Sequence, residues 1–135
     1  MDRGAGIVVV GSKIDTGANS AVVRSLMNVG YRITTASYDE TTEVILKREP
    51  ALVIIFLPGC TASDLELCGS LRNVSNAPVI VIGSSNDLNC ASRALEAGVD
   101  DYLTDPVSAR YVVARVRNIL RRSMSRPLWR KHMLP

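Results

Sequence analysis

Five short segments of strand length, separated by segments with helical spacing, do most to limit what this chain can fold into. Gly6–Val10, Ala51–Leu57 and Pro78–Ile82 are almost continuously apolar, and Tyr31–Ala36 and Val99–Leu103 also have the character of strands. Strands that are apolar on both faces are typical of a parallel sheet that is covered by helices on both sides. The alternation therefore predicts an α/β protein.

The segments between the strands end where helices normally end. Gly30 and Gly98 close two of them, and Pro50 stops a third. Ser63 and Glu66 have the spacing of a capping box at the start of another. We predict helices over 18–29, 63–72, 87–97 and 107–122, and another that Ser37 or Asp39 caps and that runs through Arg48. The predicted fold is therefore α/β and flavodoxin-like, a (βα)5 doubly wound parallel sheet with strand order 2-1-3-4-5.

The chain of 135 residues suits one domain, and its 47% hydrophobic and 21% charged residues are ordinary for a globular protein. Residues 106–135 carry eight of the sixteen Lys and Arg and no acid, so the net charge of +3 arises at this end. We predict a domain over 1–122 and a basic tail or linker over 123–135. No apolar segment could span a bilayer and no secretory signal is visible, which favours the cytoplasm and no membrane contact.

The three cysteines, Cys60, Cys68 and Cys90, do not have the spacing of a metal site, and His132 is the single histidine. We expect three reduced thiols that serve as small side chains. We also expect neither a metal nor a cofactor.

Four segments follow one another along residues 6–122: GYRITTASYDETTEVILKREPALVIIF, LELCGSLR, APVIVIGSS and ALEAGVDDYLTDPVSARYVVARVRNILRR. In this order they resemble the receiver domain of two-component response regulators, and the last most resembles the OmpR/PhoB subfamily of transcription factors. The resemblance implies a site for phosphorylation at the strand ends. Such a site has two acids that help to hold Mg²⁺, an aspartate that accepts the phosphoryl group, and a Thr or Ser and a Lys that bind its oxygens.

This chain departs from the family at each of those positions. Gly11 and Ser12 stand in place of the acidic pair, Phe56 in place of the acceptor aspartate, Gly83 in place of the Thr or Ser, and Asp105 in place of the lysine. A phenyl ring cannot accept a phosphoryl group, and an anion at position 105 would repel one. We therefore predict a degenerate phosphorylation site that has no catalytic residue and binds no metal.

Other side chains near this site have structural explanations. Asp15, Asp64 and Asp105 could be substitute acceptors, but no cation-binding partner accompanies them, and an acid at the start of a helix suits the helix dipole. Tyr102 holds the family's switch-aromatic position. Because Gly83 offers it no hydroxyl to follow, we expect either a ring locked in one orientation or a half-buried tyrosine packed at the sheet edge.

The resemblance also implies a dimer, since OmpR/PhoB receivers pair through the fourth helix, fifth strand and fifth helix. Charged residues on this face form pairs between subunits in the family. Tyr111 stands where the family has a glutamate, so a tyrosine contact replaces one expected pair. The predicted dimer face consists of Arg93, Leu95, Ala97, Asp100, Asp101, Tyr111, Arg115 and Arg117.

Three functional interpretations remain open. The leading hypothesis is a phosphorylation-independent regulatory and dimerisation module of a bacterial response regulator, a transcription factor whose DNA-binding domain is absent from this chain. An alternative is a receiver-like adaptor that binds a partner protein or a small molecule at the altered pocket around Phe56, Gly11 and Gly83. An enzyme domain that binds a nucleotide or flavin is disfavoured, because the loop over 11–20 contains neither GxGxxG nor GxxxxGK[ST].

Overall fold

The computed structural model describes residues 4–12, 17–83 and 88–125, and it confirms the predicted α/β architecture. Its parallel strands form one sheet in the order β2-β1-β3-β4-β5. The strands are β1 (Gly6–Val10), β2 (Arg32–Ala36), β3 (Leu52–Phe56), β4 (Val79–Gly83) and β5 (Asp101–Thr104). The α-helices of the described residues are α1 (Gly17–Asn28), α2 (Thr41–Arg48), α3 (Ala62–Val74), α4 (Leu88–Ala97) and α5 (Ala109–Ser125), and a 3₁₀ turn spans Tyr38–Glu40.

The sheet is buried on both faces at its centre, which explains the continuously apolar sequences of β1, β3 and β4. Ile7 and Ile54 lie in a core on one face, which α1 and α5 cover. Val8 and Ile55 point to the opposite face and lie in a second core with residues of α2, α3 and α4. Among the described residues, no helix has the length and apolar character needed to cross a membrane.

Helix ends agree with the sequence signals at several points. Gly30 and Gly98 have φ of 108° and 115°, a left-handed conformation that glycine adopts without steric cost. Glu49 ends α2 with φ of 46°, and its N–H donates to the Ile45 carbonyl at 2.9 Å. Pro50 follows directly, so the chain leaves α2 at the predicted position.

The predicted start of α3 is wrong by one position. The capping box is formed by Thr61 and Asp64 rather than by Ser63 and Glu66: the Asp64 N–H donates to Thr61 Oγ1 at 3.2 Å, and the Thr61 N–H donates to Asp64 Oδ2 at 3.1 Å. Aspartate is short but can close the same reciprocal pair as glutamate, so Ala62 becomes the first helical residue.

The ends of the last elements also differ from the prediction. α5 begins at Ala109 instead of Val107, because Ser108 caps it: Ser108 Oγ accepts from the Tyr111 N–H at 3.0 Å. β5 begins at Asp101, because the Val99 N–H still donates to a carbonyl of α4. α5 continues to Ser125, past the predicted start of the tail at 123, and residues 126–135 lie outside the described part of the chain.

The expectation of three free thiols is wrong. Cys60 and Cys90 form a disulfide, with 5.7 Å between their Cα atoms, which is the usual separation for such a bond. Cys68 is free and buried. The spacing of cysteines along a sequence does not reveal which of them the fold brings together, and that is why the pair was missed.

Candidate functional site

The degenerate positions meet at one edge of the sheet, as the parallel topology requires. Phe56 pairs with Ile82 in the register of β3 and β4, and Gly83 pairs with Thr104 in that of β4 and β5. The Asp105 N–H donates to the Gly83 carbonyl at 2.7 Å. Gly11 lies at the same edge, since its N–H donates to the Ala36 carbonyl at the end of β2, at 3.1 Å.

Phe56 lies in the core rather than in an open pocket. Its residue is 6% exposed, and its ring belongs to the core beneath α1 and α5, together with Ile82 and Leu103. The space in which a receiver aspartate would face solvent is therefore closed by an apolar side chain.

Tyr38 lies at the centre of this edge, and the sequence analysis did not identify it. It follows β2 in the 3₁₀ turn, and its hydroxyl donates to the backbone carbonyl of Phe56. A backbone hydrogen bond with Ser12 acts on the same phenol. Tyr38 thus links Ser12, at the predicted position of the acidic pair, to Phe56, at the predicted position of the acceptor. The available signal was an aromatic residue just past the end of a strand that neighbours β1.

Burial raises the pKa of the Tyr38 phenol above 10.0, and the negative charge of Asp64 raises it further, while the Ser12 hydrogen bond acts in the opposite direction. The phenol therefore stays neutral and acts as a hydrogen-bond donor at physiological pH. Asp64 is engaged in the capping box of α3. This capping role agrees with the expectation that Asp64 serves the start of a helix. Its carboxylate is therefore poorly suited to accept a phosphoryl group.

Tyr102 fills the space beside Gly83. A Cβ atom added to Gly83 would lie 2.9 Å from Tyr102 Cζ and closer still to its hydroxyl oxygen. The tyrosine is half-buried and packs against the core under α2, α3 and α4. The hydroxyl of the tyrosine thus lies where a Thr or Ser side chain would begin. This arrangement agrees with the expectation of a half-buried tyrosine packed at the sheet edge, and a ring locked in one orientation stays a prediction.

Asp105 is exposed and precedes a cis peptide bond to Pro106. Its side chain does not share a buried pocket with Phe56. Ser12 is also exposed, and Asp15 lies outside the described residues. Within residues 4–12, 17–83 and 88–125, no group of three His, Cys, Asp or Glu side chains is arranged to hold a metal ion.

The predicted dimer face presents both apolar and charged side chains to solvent. Leu95 and Tyr111 are 49% and 52% exposed. Arg93 and Arg117 are exposed as well, and Ala97 is half-buried. A cavity of about 450 Å³ adjoins this face, lined by Tyr102, Leu103, Thr104, Pro106, Val107, Ser108 and Tyr111.

Two of the acids expected to pair between subunits have partners within the chain. Arg115 Nη2 lies 2.7 Å from Asp101 Oδ2, and its Nε donates to the same oxygen at 2.8 Å. Asp100 Oδ2 accepts from the Val79 N–H at 2.7 Å. Asp101 and Arg115 therefore tie α5 to β5 and stabilise the face itself. Pairing of these charges between subunits stays a prediction.

Comparisons with known proteins agree with this architecture. No protein-family model matches the chain. The chain is 32% identical over 111 residues to the transcriptional regulatory protein AfsQ1 of Streptomyces coelicolor, across 80% of this chain and 48% of that protein. It is 35% identical over 95 residues to the probable transcriptional regulator ycf27 of Porphyridium aerugineum, across 70% of this chain and 40% of that protein. The chain thus spans about half, or less, of the length of these curated relatives.

The chain is also similar in fold to a solved structure of a receiver domain. The receiver domain of the TMAO respiratory system response regulator TorR superimposes with a TM-score of 0.76 at 28% identity. The match covers 87% of this chain and 98% of that domain. The similarity therefore extends over almost the whole of the solved domain.

Proposed function

We propose that this chain, an OmpR/PhoB-like receiver domain of the response regulators, works without phosphorylation. In this proposal it is a regulatory and dimerisation module of a larger transcription factor. The chain is not an enzyme, since the proteins it is similar to are response regulators and transcriptional regulators. In this proposal DNA is bound by another domain, to which the basic residues that follow α5 connect this one. The whole protein acts in the cytoplasm.

The observation that carries the proposal is the closed edge of the sheet at Phe56. Phosphoryl transfer to a carboxylate needs a nucleophile, a divalent cation and a cation near the transferred oxygens. At the acceptor position this chain has a buried phenyl ring, and the neutral Tyr38 hydroxyl is bound to its carbonyl. Gly11 and Ser12 offer no carboxylate to a metal, and Asp105 brings negative charge to the lysine position.

We also propose that the altered site keeps the domain in one conformation. In this proposal Tyr102 remains beside Gly83, because no side chain at position 83 competes for the space. The face formed by α4, β5 and α5 is then permanently in one arrangement. Exposed Leu95 and Tyr111 supply its apolar contact, and a second copy of the chain is its partner.

The proposal is tested by incubating the purified chain with acetyl phosphate and Mg²⁺ and measuring its intact mass. We expect no phosphoryl adduct, whereas a receiver domain that retains its acceptor aspartate, treated in parallel, should acquire one. An acid-labile adduct on this chain would contradict the proposal. Calorimetric titration with Mg²⁺ is a second test, and a saturable site of millimolar affinity or better would count against it.

A further inference from the structure

The Cys60–Cys90 disulfide lies at the same edge of the sheet as the degenerate site. Cys60 belongs to the loop that leaves β3, and Cys90 lies in the first turn of α4, the helix that follows β4. β3 and β4 are paired neighbours in the sheet. The bond therefore ties the start of α4 to the segment that follows Phe56.

We propose that Cys60 and Cys90 form a reversible thiol–disulfide site, at which small thiols and disulfides control how firmly the start of α4 is held. This inference rests on the proposed function in one respect, the cytoplasmic location of the regulator. Where thiols are kept reduced, disulfides are rare and are usually transient or redox-sensing. A bond that only stabilised the fold would be out of place there.

The two cysteines differ in exposure, and this difference gives the exchange its proposed direction. Cys60 is half-buried, whereas Cys90 is 2% exposed. A small thiolate attacks Cys60 Sγ, forms a mixed disulfide there, and releases Cys90 as a thiolate within the first turn of α4. A second thiolate attacks the outer sulfur of the mixed disulfide, which releases the small disulfide and the Cys60 thiolate.

The overall exchange is balanced: two small thiols are oxidised to one small disulfide while the protein disulfide is reduced to two thiols. Oxidised glutathione reverses it and supplies the oxidant. Cys68 does not compete, because it is wholly buried and burial, with the nearby charge of Asp64, raises the pKa of its thiol to about 11. The reactive pair is thus separated from the third cysteine.

Reduction would release one end of α4 and leave the other held. Ala94 is fully buried in the core, and the Val99 N–H donates to its carbonyl at 3.2 Å. The end of the helix is therefore fixed independently of the bond. Arg93 and Leu95, which belong to the proposed dimer face, lie on the same helix. The redox state would thus act on the surface through which the domain is proposed to associate.

The first experiment equilibrates the unmodified chain, without oxygen, in glutathione buffers that range from oxidised to strongly reduced. Thiols are then alkylated after denaturation and counted by intact mass. We expect a transition from one alkylated cysteine, Cys68, to all three within this range. One alkylated cysteine at every ratio would mean a structural bond, and three at every ratio would mean no bond, so either result overturns the proposal.

The second experiment compares hydrogen–deuterium exchange of the native chain before and after reduction. We expect amides in the first turns of α4 to exchange about tenfold faster, with α5 unchanged as the internal control. Equal exchange of α4 in both states would overturn the role of the bond in holding the helix. Neither experiment depends on phosphorylation, so a failure here is separate from a failure of the proposed function.

Variants test the direction of exchange. Cys90→Ser should take up one glutathionyl group on Cys60, and Cys60→Ser should take up none at the buried Cys90. Cys68→Ala is the matched control and should keep the full redox response. Uptake by Cys60→Ser but not by Cys90→Ser would overturn the proposed direction.

Discussion

The ring of Tyr102 lies against the backbone of Gly83, in the space that a side chain at position 83 would need. Gly83 is the last residue of β4, and Tyr102 lies on the neighbouring β5, where its register partner is Val81. The absence of a side chain on Gly83 thus leaves room for the ring of Tyr102 on the neighbouring strand. This relationship links the degenerate site to the α4–β5–α5 face.

Gly83→Ala should displace the Tyr102 ring and destabilise the fold. The new Cβ would meet Tyr102 Cζ at 2.9 Å, closer than real contacts of this kind allow. Overpacking of this size costs about 1–3 kcal/mol. Urea unfolding measures the loss, and the tyrosine resonances in an NMR spectrum report movement of the ring.

A double-mutant cycle separates this contact from the strand preference of alanine. In the Tyr102→Ala background the same Gly83→Ala change should cost less by about 1 kcal/mol or more. An equal cost in both backgrounds would show that the two residues are not coupled, and the idea of a fixed ring would then fail.

Phe56→Asp places an aspartate at the predicted acceptor position but should not restore phosphorylation. It places a carboxylate in a core position that is 6% exposed, and we expect a loss of about 4 kcal/mol or more in the free energy of unfolding at neutral pH. Burial raises the pKa of such a carboxyl, so the variant should regain stability as the pH falls toward about 4 and lose it as the pH rises through the raised pKa.

Phe56→Asn is the matched control for this prediction. It loses the ring and buries a polar group of similar size but cannot ionise. Its stability should therefore lack the additional dependence on pH. A Phe56→Asp variant as stable as the parent in urea at neutral pH would show that water reaches position 56.

The fold could be predicted from sequence because strands that are buried on both faces, such as β1, β3 and β4, have almost continuously apolar sequences. Element ends were less certain, since Thr61–Asp64 and Ser63–Glu66 both have the spacing of a capping box. Which of these two capping boxes forms depends on how the helix packs on the sheet, and local sequence does not encode that packing. α5 begins at Ala109 rather than at the predicted Val107, because Ser108 caps the helix.

The site was predicted in part. The positions of Phe56 and Gly83 follow from strand ends, and their meeting at one edge follows from parallel topology. Tyr38 and the Cys60–Cys90 bond were missed, because each depends on loop paths between elements that are distant in sequence. Local periodicity carries no information about such paths.

Tyr38→Phe should destabilise the protein by about 1 kcal/mol, because it removes the hydrogen bond to the Phe56 carbonyl and leaves that acceptor without the phenol. Burial, and then the charge of Asp64, raise the pKa of Tyr38 above 10.0. Its contribution to stability is therefore complete below about pH 10 and is lost as the pH rises through the raised pKa.

The difference in unfolding free energy between the parent and Tyr38→Phe should accordingly shrink when urea unfolding is repeated above about pH 10. The thiol of Cys68, whose pKa is raised to about 11, also ionises in this range. It does so in both proteins, so its effect cancels in this difference. A difference that stays constant or grows at alkaline pH would mean that the phenol is not held in its neutral form by the fold.

Assembly through the α4–β5–α5 face is tested best by substituting an apolar residue, because this leaves the Arg115–Asp101 ion pair intact. Arg115→Glu would break that ion pair within the chain as well. We expect a constitutive dimer at tens of micromolar, and Leu95→Glu should weaken it at least tenfold, or about 1.4 kcal/mol. The two-fold axis places each substitution twice in the interface, which strengthens the effect. Sedimentation equilibrium measures the association, and added salt should weaken it wherever charged pairs contribute.

Met27→Glu is the matched control, since Met27 is 56% exposed on α1, outside this face, and its change should leave the dimer intact. A monomeric parent, or equal weakening by both substitutions, would exclude this face as the dimer interface.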